Sequence, residues 1–254
     1  MDQPRTFTQR LLAAQPNCIY CGGHTPATTV EHMPSRIIFD NKQRPKGLEF
    51  SACKACNDST RKAETIIAML SRVYPGEGDR FYQRELRKIC DAAFRHHPGL
   101  VEEVNMDQVA GLKRLGDKAM QLPSWHFIHL GGPIVSNALD AFGMKLALSL
   151  HYEVTKRIVP TGGATLLTHY SNVDAFTGDL PQSVIDLFGS GRTLAMGRQE
   201  VSNQFRYSSA FDEETRSLSA HFAVFRESFA MMSVVAHDPA DLPADASPLH
   251  IHYV

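Results

Sequence analysis

Two Cys-x-x-Cys pairs, Cys18-Ile19-Tyr20-Cys21 and Cys53-Lys54-Ala55-Cys56, constrain this 254-residue chain more than any other feature. Each such turn aims two sulfurs at one point, and two turns complete a tetrahedral shell for a single zinc ion. An all-thiolate shell leaves no open coordination position, so this zinc is structural and cannot itself activate water. A segment of about sixty residues has too small a core to hold itself, whereas a structural zinc contributes about 10–16 kcal/mol of apparent binding free energy to folding. The long spacer between Cys21 and Cys53 is tolerable, because loop closure costs only about 0.6 kcal/mol per doubling of length.

The zinc pairs enclose Glu31-His32, and Asn57 follows the last cysteine. Pinning both ends of the spacer is expected to bring Glu31-His32 back against Asn57. A carboxylate, an imidazole and an amide oxygen suit a hard divalent cation, Mg²⁺ or Mn²⁺, beside a general base. Phosphodiester hydrolysis needs that combination: a cation for the phosphate charge, and a base titrating near neutrality for the attacking water. Arg36, Arg61 and Lys62 lie close enough in sequence to contact a phosphate backbone.

At these residues the chain resembles the four-cysteine branch of the HNH endonucleases, which have a ββα-metal fold. The stretch is Cys18-x-x-Cys21, Glu31-His32-x-Pro34, then Cys53-x-x-Cys56-Asn57 with Arg61-Lys62 behind it, about a quarter of the chain. The resemblance implies His32 as general base, Glu31 and Asn57 as ligands of the catalytic cation, and the four cysteines as the zinc shell. It departs at Leu48, where the family has a central asparagine that orients the base; a backbone carbonyl or Glu49 would then have to set the imidazole tautomer. Glu31 also replaces a commoner aspartate, which adds a methylene and shifts where a cation sits. Two alternatives stand beside DNA cleavage: a non-catalytic zinc module that binds nucleic acid or protein, and an RNA-directed nuclease.

Charge is unevenly spread around a net of −1. Residues 1–75 carry ten basic and six acidic side chains, a net of +4, so a polyanion should meet the N-terminal part first. The paired cysteines fit a reducing, cytoplasmic setting, and no apolar run approaches the ~20 residues of a membrane span. Cys90 falls among Ile89, Ala93 and Phe94 and reads as a small buried hydrophobe.

The expected fold class is α+β, with a zinc-stabilised ββα module over 1–75 and a helical plus antiparallel-sheet domain over 76–254. The sequence predicts a short helix over 6–14, strands at Thr28-Thr29-Val30 and Leu48-Glu49-Phe50, one helix from Cys56 to Tyr74, and others near 79–97 and 135–158. Alternating apolar runs at Ala164–Tyr170, Arg192–Met196, Gln204–Ser209, Leu218–Arg226 and Phe229–His237 predict strands packed on the long helix. The proline-bearing tail after Asp238 reads as loosely ordered. His24 could replace a cysteine but is not needed; His96-His97, His126-x-x-His129 and His250-x-His252 lack carboxylate or cysteine partners at motif spacing. Homodimerisation is expected, since a single-site nuclease cuts both strands most simply as a two-fold pair.

Overall fold

The computed structural model describes residues 6–73, 80–105, 109, 113, 128–177, 186, 191–196, 199–245 and 247–254, and within them the chain is α+β. Helix α1 (Phe7–Ala14) begins on a reciprocal cap: the Thr6 hydroxyl accepts the Gln9 N–H, and the Gln9 side chain accepts the Thr6 N–H. After the first cysteine turn, β1 (Thr29–His32) pairs antiparallel with β2 (Glu49–Ala52), Glu31 opposite Phe50 and His32 opposite Glu49.

The single helix predicted over Cys56–Tyr74 is instead two, α2 (Lys54–Ser59) and α3 (Arg61–Leu70), with Tyr74 outside the described residues. Helix α2 starts early because Cys53 caps it, its sulfur accepting the Cys56 N–H at 3.4 Å. Thr60, at φ −99° and ψ 0°, interrupts the run, and its hydroxyl is drawn between Glu64 and Lys145. The order β1–β2–α2 follows the predicted strand, strand, helix.

Helices α4 (Arg80–His96) and α5 (Leu100–Val104) lead to the long helix α6 (Pro133–Thr155). Proline in its first turn gives up an N–H that would have no partner there, and the Glu103 carboxylate accepts the next two, from Ile134 at 2.9 Å and Val135 at 2.7 Å. It stops at Thr155, short of the predicted Ile158, where Lys156 turns into the left-handed region at φ 57°.

Helix α6 is the middle layer. Lys145 and Ser149 face the zinc-binding segment, while Gly143 and His151 face the sheet. That sheet has the order β6-β7-β8-β3-β9, all antiparallel, from β3 (Ala164–Ser171), β6 (Arg206–Phe211), β7 (Leu218–Phe225), β8 (Phe229–Ala236) and β9 (Ile251–Tyr253). Helix α7 (Asn172–Thr177) follows β3, and a small hairpin joins β4 (Ala195–Met196) to β5 (Gln199–Glu200). The strand predicted over Arg192–Met196 shrinks to β4 plus one bridge from Arg192 to Tyr207.

The tail is not loose. Strand β9 takes the sheet edge with Thr165 opposite His252, and Ile251 joins Leu166, Leu242 and Val234 on the face away from α6. One buried cluster runs through all layers, from Cys18 and Phe50 through Ile66 to Phe142 and Phe225, across the expected boundary near residue 75.

Candidate metal centre and active site

The four thiols converge. Sγ atoms of Cys18, Cys21, Cys53 and Cys56 lie within 4.8 Å of one another, and no other group of His, Cys, Asp and Glu among the described residues closes as tightly. Sulfurs about 2.3 Å from a tetrahedral zinc stand about 3.8 Å apart, so this donor set fits one ion such as zinc. Backbone N–H groups of Tyr20 and Cys56 donate to the sulfurs of Cys18 and Cys53, each at 3.4 Å. Burial pushes the Cys18 and Cys56 thiols up, an opposition that a bound cation reverses by holding them as thiolates.

The first cysteine turn is docked on the rest of the chain. Gly22, at φ 66°, packs where a Cβ would strike Thr161, and the exposed His24 shares a 2.7 Å hydrogen bond with the Thr161 hydroxyl. His24 is therefore used in docking. Tyr20 hydrogen-bonds Ser149 of α6 at 2.8 Å.

Neighbours on a strand point to opposite faces, and β1 separates Glu31 from His32 in this way. Glu31 is buried and ion-paired to Lys145 of α6 through one oxygen; the other accepts the His32 backbone N–H at 3.1 Å. Lys145 also donates to the Asn57 carbonyl at 3.2 Å and to Thr60 Oγ1 at 2.9 Å, so its ammonium is held by two hydrogen bonds besides the ion pair. Burial pushes the Glu31 carboxyl up, and Lys145 opposes it. The Asn57 amide nitrogen donates to Thr29 Oγ1 at 2.9 Å and the Val30 carbonyl at 3.3 Å, fastening α2 to β1. Asn57 is thus a staple inside α2, not its cap.

The expected approach of Glu31 and Asn57 is present, but Lys145 lies between them. With both Glu31 oxygens committed, this arrangement does not fit an added Mg²⁺ or Mn²⁺ at Glu31 and Asn57. Sequence reasoning passed over Lys145, although it is a lone charge within the apolar stretch Ala141–Leu150.

His32 is half-buried at the end of β1. Burial holds its imidazole below the ordinary range, helped by the Arg44 and Arg36 charges and opposed by Glu49. It is therefore neutral at pH 7. Of the acceptors suggested for orienting it, Glu49 is engaged elsewhere, pairing with Arg44 at 3.2 Å and accepting the Gly47 N–H, whereas a backbone carbonyl, that of Val30, takes a hydrogen bond from the imidazole. Leu48 is buried with φ 56°, a left-handed backbone that asparagine tolerates better than leucine.

Arg44, read from sequence as part of a basic turn, is an internal tie. Its side chain is 1% exposed and donates to the carbonyls of Pro34, Met33, Pro45 and Leu48. Of the expected phosphate contacts, Arg36 is exposed with its charge acting on His32, Arg61 is exposed and paired with Asp58 at 2.8 Å, and Lys62 is exposed.

Elsewhere, His97 contacts the Lys62 carbonyl at 3.1 Å, His126 lies outside the described residues, and Cys90 is half-buried against the core. Among the described residues no helix is long and apolar enough to cross a membrane. No family model matches the chain, and neither a curated protein nor a solved structure does.

Proposed function

We propose that this chain is an HNH-type endonuclease that hydrolyses phosphodiester bonds in DNA, with His32 as general base on a zinc-held ββα module. One observation carries the reading: a neutral, half-buried imidazole at the end of β1, beside the positive charges of Arg44 and Arg36. A lone pair there accepts a proton from water, while the exposed Arg36 meets the negative phosphate. Arg44 acts indirectly by fixing the loop that carries Arg36. Asn57 and Lys145 set the angle of α2 against β1 and so the place of His32. No step is assigned to a second metal, because both Glu31 oxygens are engaged, one by Lys145 and one by the His32 N–H.

A positioned base contributes roughly 10²–10⁴ in rate. His32→Ala should therefore lose at least about a hundredfold in nicking of supercoiled plasmid while retaining its zinc. Undiminished nicking by that variant would overturn the mechanism.

A second reading is favoured by the Glu31–Lys145 pair and by Leu48: a non-catalytic zinc module that binds nucleic acid or protein. Incubating plasmid DNA and structured RNA side by side, with and without Mg²⁺, separates the readings. His32-dependent cleavage of DNA supports the enzyme; cleavage of RNA alone moves the substrate; retention without cleavage supports the binding module.

A further inference from the structure

His250-x-His252 has no carboxylate at motif spacing in the sequence, yet the fold supplies one. Asp140, on the sheet-facing side of α6, points one carboxylate oxygen at two imidazoles: His169 Nε2 of β3 and His252 Nε2 of β9, each 3.7 Å away. Asp140 and Lys145 lie about 140° apart around the helix, so this cluster faces away from the zinc-binding segment.

Neither contact is a hydrogen bond, because 3.7 Å is too long. His252 Nε2 is buried without a hydrogen-bond partner, and so is the hydroxyl of Thr165, which is fully buried. Thr165 is the cross-strand partner of His252, so its side chain emerges on the same face of the sheet. Buried polar atoms are rarely left unpaired, and here two lie on neighbouring strands on the face of the sheet that meets Asp140.

We propose that Asp140, His169 and His252 bind a second divalent transition-metal ion, zinc first among them. Two imidazoles and a carboxylate are a recurrent zinc donor set, and one that discriminates against magnesium and calcium. Ligand atoms on one tetrahedral ion stand about 3.4 Å apart, a few tenths of an ångström inside the two carboxylate–imidazole gaps. The cluster is more open than the thiols, so binding an ion requires the two imidazoles, 20% and 23% exposed, to turn towards each other. Three protein ligands leave a fourth position for water, unlike the closed thiolate shell. The ion would pin the tail strand β9 to β3 and α6.

The proposal is independent of the nuclease reading, and metal content tests it without any activity assay. Full-length chain, without a histidine tag and equilibrated with excess Zn²⁺ before desalting, should hold two zinc ions by elemental analysis. His169→Ala, His252→Ala and the near-isosteric Asp140→Asn should each hold one, with the thiolate-bound zinc retained as the sign of a folded chain. In the unmodified protein, zinc addition should shift the ring ¹⁵N resonances of these two histidines. One zinc per chain with unshifted rings would overturn the proposal and leave an ordered water at the centre. A second zinc retained by all three variants would overturn it too.

Discussion

At the scale of single residues, Lys145 governs the candidate site. It is buried, and its partner Glu31 is buried with it, so the pair is desolvated on both sides. Removing one member of such a pair leaves an uncompensated charge and costs about 3–5 kcal/mol, whereas replacing both by apolar groups of similar volume is often near neutral. Lys145→Met should therefore lower the free energy of urea unfolding by about that amount, and Glu31→Leu with Lys145→Met should recover most of it. A loss below about 1 kcal/mol for Lys145→Met would mean that water reaches the pair. Glu31 was legible as a chemical residue; what it touches was not, because its partner lies 114 positions away on a helix whose facing only packing sets. Arg44 shows the same limit, since a basic loop and a buried tie have one composition.

At the scale of elements, the β1–β2 pair is four residues long in each strand, too short to stand alone, and the cysteine turns fasten its ends. Removing zinc with a chelator should abolish hydrogen-exchange protection in β1 and β2 before it affects β3, β7 and β8, whose strands are eight residues each and pair along their whole length. Simultaneous loss in both regions would show that the zinc holds the whole chain as one cooperative unit. Elements were legible where periodicity is strong: α6 and the strands β3, β7 and β8 fall close to their predicted spans. The break at Thr60 was not, because a threonine hydroxyl shared between Glu64 and a distant lysine has no local signature. Strand β9 was missed for the related reason that three residues show too little alternation to read.

At the scale of the whole molecule, α6 and the sheet enclose a chain of hydrogen bonds from Ser209 to His221, Ser219, His151 and His237, with distances of 2.7 to 3.1 Å. Burial pushes His151 and His221 down to about 3. Unfolding restores their ordinary affinity for protons, so between about pH 6.5 and 3 the unfolded state binds more protons than the folded one. Each histidine then lowers stability by up to about 1.4 kcal/mol per pH unit as pH falls through that window. Urea midpoints should drop from pH 7 to pH 5, and His221→Gln should flatten the drop; a pH-independent midpoint would show that both rings are protonated in place. The sequence by itself determined the thiolate cluster, the strand-strand-helix order and the α+β class, because those rest on spacing and periodicity within short stretches of chain. The tertiary structure decided that Lys145 occupies Glu31, that Arg44 is internal and that Asp140 meets His169 and His252. Each of these joins residues remote in sequence, and the physical reason is burial: which charges lose water, and against which partner, is set only when α6 is packed between the zinc-binding segment and the sheet.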